Sequence, residues 1–318
     1  MKESGREFAA GPMNRFCMYK DVPRIFDAWD IDSNYRLQEM DGAFDITVEE
    51  MAQGAEAVLC VKGRINESLY TQKIRLAENA RRLEFETEMD WRELHKLLKV
   101  TFPVDVYAEN AINEMQFGYV ERPAHRSRDY DKDRYEVCNH RYSALCDGMH
   151  GAAVLNDCKY GISMNGNCLE LTLLRAAASP EFRTDNRIHR FTYAFTAWEG
   201  NFAECDVVRQ AYELNVKPHV VEGGVCDISF LQIVQQNIML ETMKLAEDGS
   251  GDMILRLYES KKAAVRADIH IAMNGFKAYI CDMLENVLEE VSVDNGNISI
   301  PFRAFEVKTV RLKKCNDN

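Results

Sequence analysis

Asp27, Asp30 and Asp32 crowd around Trp29. Acids that trade protons beside a ring that stacks on a sugar face would be one use for such a group. In a strand, Asp30 and Asp32 would share a face. The plainer reading, which the sequence favours, makes Trp29 a packing anchor. The seven histidines, at 95, 125, 140, 150, 189, 219 and 270, include no HExxH and no His-x-Asp pair. His140 and His150 near Cys138 and Cys146 are the best local group for a metal. Zinc needs three or four convergent ligands, however, and these spacings match no established finger. Ten cysteines, at 17, 60, 138, 146, 158, 168, 205, 226, 281 and 315, contain no CxxC and favour free thiols. The acidic run Glu247-Asp248-Gly249-Ser250-Gly251 lacks the spaced oxygens and terminal Glu of a calcium loop and reads as a hairpin turn. No motif singles out one of the 51 acidic residues as catalytic.

The elements that would position these groups are strands. Period-two alternation runs through 57–61, 74–76, 83–89 and 97–106, where Pro103 suits an edge or a bulge. Further strands are expected at 112–120, 152–155, 168–174 and 190–195. Phe202, Cys205, Val208 and Tyr212 instead fall at helical spacing behind Asn201, which predicts a short helix over 202–214. Later strands are expected at 237–244 and 253–258, then at 264–272, 278–284, 287–293, 298–302 and 305–312. A shift of apolar parity in 305–312 predicts a bulge or a change of sheet. Short strands, repeated turns and no crossover helices make the fold class all-β, a sandwich type.

The 318 residues, 46% of them apolar, suffice for one large or two modest domains. A net charge of −12 argues against a nucleic-acid partner, and the basic spots at 122–128 and 313–314 read as solvated surface. The opening residues carry no apolar signal core, and no apolar stretch approaches the ~18 residues of a membrane span. With the unpaired cysteines, this predicts a cytoplasmic protein with no membrane partner.

Several strings resemble glycoside hydrolase family 38 α-mannosidases of the cytosolic and bacterial type. They are Tyr19-Lys20-Asp21-Val22-Pro23-Arg24-Ile25-Phe26-Asp27-Ala28-Trp29-Asp30, Asp90-Trp91, Lys96-Leu97-Leu98-Lys99-Val100 and Phe102-Pro103-Val104. Further along come Gln116-Phe117-Gly118-Tyr119-Val120-Glu121-Arg122-Pro123, Leu155-Asn156-Asp157-Cys158-Lys159-Tyr160-Gly161, Phe191-Thr192-Tyr193-Ala194 and 301–312. The resemblance implies a large galactose-mutarotase-like β-supersandwich followed by a small β-sandwich. The expected divisions are a frayed terminus or artificial boundary at 1–18, the large sandwich at 19–225 and the small one at 226–318. It also implies that the catalytic β/α barrel, with its aspartate nucleophile and its zinc or other divalent metal, lies outside this sequence. No catalytic residue and no cofactor are therefore expected here.

Site residues follow from the same resemblance. The loop with Asn156, Asp157, Lys159 and Tyr160 follows an apolar strand and offers an amide, an acid, an amine and a phenol to sugar hydroxyls. Arg175 matches the place of an arginine that in the family reaches the barrel and touches substrate; a structural ion pair is the alternative, and the two stay open. The corner Glu121-Arg122-Pro123 and His125 are further candidates to face the barrel. The expected partners are a mannose-containing oligosaccharide and the N-terminal barrel, with a homo-oligomer left open. The implied function is the C-terminal portion of a retaining α-mannosidase, inactive alone. A non-catalytic carbohydrate-binding or structural module is the alternative, with an aldose epimerase behind it.

Overall fold

The structure, a computed structural model, describes all residues except 2, 3, 41–43, 53, 225, 226, 274 and 316–318. The expected junction at 225 and 226, and Cys226, therefore lie outside the described residues. Every other cysteine carries a free thiol.

Alternating apolar and polar side chains can bury one face only by building sheets, and the chain does so in two compact units. The first comprises Met1–Glu114 and Val120–Val216. Its early strands are β1 (Arg15–Lys20), β2 (Glu39–Met40), β3 (Phe44–Ala52), β4 (Glu56–Ile65), β5 (Ser68–Ala77), β6 (Arg82–Asp90) and β7 (Lys96–Pro103). They are followed by β8 (Asn110–Met115), β9 (Gly118–Pro123), β10 (Val137–Cys138), β11 (Tyr142–Cys146), β12 (His150–Asn156), β13 (Gly161–Asn165), β14 (Cys168–Arg175) and β15 (Ile188–Glu199). A six-stranded sheet runs β10-β13-β14-β7-β1-β2, and a nine-stranded sheet runs β3-β4-β5-β6-β15-β12-β11-β8-β9.

Their inner faces share one core. Phe16, Met18, Leu98, Val100 and Leu171 come from the first sheet, and Phe85, Met89, Val154 and Tyr193 from the second. Phe102 stacks on Phe195 at 5.6 Å, and Phe85 on Tyr193 at 5.1 Å. The buried Tyr193 hydroxyl donates to Asn14 at 2.6 Å and accepts from Gln72 at 2.8 Å, so its polar end is satisfied.

The second unit comprises Met115–Tyr119 and Lys217–Asn318. Its strands are β16 (Leu231–Ile233), β17 (Ile238–Leu245), β18 (Met253–Glu259), β19 (Val265–Ile271), β20 (Phe276–Cys281), β21 (Val287–Val291), β22 (Asn297–Phe302) and β23 (Val307–Lys314). They form sheets β16-β19-β22 and β17-β18-β23-β20-β21 around Leu255, Leu257, Ile269, Ile298, Ile300, Phe302, Val310 and Leu312. The turn at 247–251 joins β17 to β18, with Gly249 and Gly251 at φ 71° and 80°.

Five expectations change. Residues 1–18 do not simply fray, because β1 lies between β7 and β2 and buries Phe16 and Met18, while Phe8 is buried before it. Pro103 sits neither at a sheet edge nor at a bulge; it is the last residue of an interior strand. The strand expected over 112–120 is a hairpin, turned by Phe117 at φ 62°. Gly118 follows because a Cβ there would lie 2.7 Å from the Phe305 ring. The helix begins later than expected, as α2 (Val207–Asn215), after α1 (Asp129–Lys132). Asn201 accepts from the Glu204 amide at 3.2 Å and so caps a turn rather than that helix. The parity shift in 305–312 is no bulge: β23 pairs in unbroken register, and the change of sheet falls at 303–306, with Phe305 at φ 56°.

Candidate functional site

Antiparallel register decides which strand ends are neighbours. Lys20 pairs with Lys96, Leu97 with Arg175, Asn156 with Tyr193 and Asp90 with Ile188. Trp91, fully buried, ties the two sheets here: its amide donates to the Arg187 carbonyl at 3.0 Å and its indole to the Arg175 carbonyl at 2.9 Å. One end of the first unit thus gathers the segments 21–34, 91–95, 157–160 and 176–187.

Arg175, the last residue of β14, sits beside Asp21 at 2.6 Å and donates to the Asp27 carbonyl at 3.0 Å. The other oxygen of the buried Asp21 accepts from the Asp32 amide at 2.8 Å. Asp27 Oδ2 accepts from the Ala178 amide at 2.7 Å, the Ser179 amide at 3.1 Å and His95 Nε2 at 3.2 Å. Burial opposes ionisation of Asp27, but these donors outweigh it and hold the carboxyl below its ordinary value. Its Oδ1 is buried without a hydrogen-bond partner.

In the loop after β12, the buried Asn156 is spent internally. Its amide donates to Asn139 at 3.0 Å and to the His140 carbonyl at 2.8 Å, while its oxygen accepts from the Lys159 amide at 2.7 Å. Asp157 Oδ2 accepts from the Thr192 amide at 2.9 Å, and its Oδ1 is also buried without a partner. The Lys159 amine lies 4.5 Å from the centre of the Phe191 ring, and burial lowers its pKa. Partial desolvation and then Asp157 push the thiol of the surface residue Cys158 up to about 12. Tyr160, half exposed, has its ring 5.3 Å from His140.

Trp29 is no packing anchor: it is 74% exposed in a turn, with Phe26 and Phe182 also exposed on the segments gathered here. Asp30 and Asp32 lie in that loop rather than on a strand face. Arg122 donates to the Cys138 carbonyl at 3.1 Å, and His125 lies 4.0 Å from Asp131. His140 precedes β11, whereas Cys146 ends it opposite Gly151, next to His150, so strand length keeps the two histidines apart. Among the described residues, no group of three or more His, Cys, Asp or Glu side chains is placed to hold a metal ion. This chain therefore offers no described residues fitted to the metal expected of a family 38 enzyme. Asp21 and His95 were not legible as site residues: Asp21 lies in a resembling string but nothing in it singled that residue out, His95 lies in none, and only the register brings them to Arg175 and Asp27.

Comparison with known proteins places this sandwich in a family. Residues 1–183 match the model of the glycosyl hydrolases family 38 C-terminal domain, and 237–310 match that of the family 38 C-terminal beta sandwich domain. The chain belongs to glycosyl hydrolase family 38. It is 33% identical over 97% of its length to Alpha-mannosidase 2C1 of Homo sapiens, covering 31% of that protein. It is 31% identical over 94% of its length to Alpha-mannosidase G of Dictyostelium discoideum, covering 29% of it. The chain thus spans about a third of the length of the curated relatives it matches. Its fold follows an alpha-mannosidase from Enterococcus faecalis V583 with a TM-score of 0.75 at 16% identity, over 98% of this chain and 39% of that one. No helix among the described residues is long and apolar enough to cross a membrane.

Proposed function

We propose that this chain serves as the C-terminal β-region of a retaining α-mannosidase that hydrolyses terminal α-mannosides in the cytoplasm. A β/α barrel outside this sequence supplies the aspartate nucleophile and the zinc or other divalent metal. The family 38 match carries this reading, supported by the relatives' names and by the free thiols. The gathered end of the first unit is its working face, directed to a mannose-containing oligosaccharide or to the barrel. Two buried carboxylate oxygens there, on Asp27 and Asp157, lack donors. Hydroxyls of a glycan or donors of a barrel would satisfy them. Lys159 and Tyr160 are proposed as direct contacts, Asn156 and Asp157 as the residues that shape their turn, and Arg175 as the group that holds the 21–34 loop in place. The divisions 19–225 and 226–318 remain our proposed domains, with β1 joined to the first.

The test is turnover of an aryl α-mannoside by the purified chain, with and without added zinc. No turnover is expected, and metal-dependent hydrolysis by the chain alone would sink the division of labour. A carbohydrate-binding module is the second reading, favoured by the exposed ring of Trp29. Calorimetric binding of mannobiose by the chain alone, abolished by Trp29→Ala, would select it.

A further inference from the structure

Between α1 and the strands β8 and β13, the first unit holds a small, partly open pocket of about 20 Å³, bounded by Ala111, Asn113, Pro123 and Met164 and by an unusual set of charges. Arg122, Arg126 and Arg134 line it, with His125 and Asp131. The charge of Asp131 is already engaged: Arg128 Nε donates to it at 2.9 Å and the Arg128 amide at 3.1 Å. Arg122 donates only to the Cys138 carbonyl and, at 3.6 Å, its sulfur. Arg134 lies over the Tyr130 ring at 5.2 Å. Arg126 Nη2 is buried with no acceptor at all. Among the described residues, none of these three arginines has a carboxylate partner, in a chain where 51 acidic residues outnumber 39 basic ones.

A guanidinium with a buried, unaccepted N–H is costly, and neighbouring like charges raise that cost. Burial, and then the nearby Arg36, hold the Arg126 pKa below its ordinary value, outweighing the opposite pull of Tyr35, Glu170 and Glu136. A water would accept the hydrogen bond but leave the charge unbalanced; an anion does both. A pocket this small suits one compact anion. We propose that Arg122, Arg126 and Arg134 form a binding site for a single halide-sized anion, chloride under ordinary conditions. The site is independent of the glycosidase reading.

Crystals of the whole chain soaked in sodium bromide test it directly by anomalous diffraction. One bromide peak within hydrogen-bonding distance of Arg126 Nη2 is expected, and a site filled by water alone overturns the proposal. In solution, the ³⁵Cl line should broaden saturably, and the thermal midpoint should rise with chloride but not with gluconate at equal ionic strength. Arg126→Gln should weaken chloride binding about tenfold or more. Should that variant not fold, Arg134→Gln, at an exposed position, should show a clear loss of affinity. Arg190→Gln, a variant of an exposed arginine paired with Glu88, should leave binding unchanged. Full affinity in Arg134→Gln, or a midpoint that follows ionic strength alone, refutes the site.

Discussion

Arg175 and Asp21 stand 154 positions apart in the chain, yet their side chains meet at the end of the six-stranded sheet, where Arg175 Nε donates to Asp21 Oδ2 at 2.8 Å. Through Arg175 the sheet also grips the backbone of the 21–34 loop at Asp27. Asp21 is almost fully buried. Arg175→Ala strands that carboxylate, and a loss of about 3 kcal/mol is expected in urea unfolding. Asp21→Asn combined with Arg175→Ala should cost less than the sum of the two single changes, and strict additivity would show that the pair is not coupled.

Asn156 and Tyr160 share a loop but should behave in opposite ways. Asn156→Ala removes two donors and an acceptor from a buried site, for an expected loss of about 3 kcal/mol. Tyr160→Ala removes a half-exposed ring and should stay within about 0.5 kcal/mol. Denaturation midpoints of the two variants compare them directly.

His189 Nε2 donates to the Asp185 carbonyl at 2.8 Å, but burial outweighs that contact and lowers its pKa below 6.5. The unfolded chain therefore binds the proton first as pH falls. This contribution to stability is complete above about 6.5 and is lost as pH drops from there through the folded value. In His189→Gln the part of the pH–stability slope due to this residue should vanish. An unchanged slope would assign it to other groups.

Gly151 lies opposite Trp198 in the β12–β15 pairing, where an added Cβ would come within 1.9 Å of the indole. Gly151→Ala should cost about 3 kcal/mol by overpacking. A thermal melt near the wild-type midpoint would mean the ring can swing aside.

Much of the fold was legible because strands write their burial at period two. In β22 the residues Ile298, Ile300 and Phe302 are buried and their neighbours exposed, as the string itself implies. The hairpin turn at 247–251 was legible from its glycines and acids. The start of α2 was not: Phe202 and Cys205 keep helical spacing and are buried, but they lie in a turn before the helix. Spacing records which side chains are buried, not which backbone hydrogen bonds bury them.

The candidate site divides in the same way. By itself the sequence determined the all-β class, the family, and the polar character of the loop after β12, since these depend on local pattern and ordered motifs. Only the tertiary structure decided that Trp29 lies in solvent, that Asn156 is spent inside its own loop, and that Arg175 closes on Asp21. Those outcomes rest on strand register between segments far apart in the chain. Long-range pairing selects partners by geometry, and a single string does not encode distance between its own remote parts.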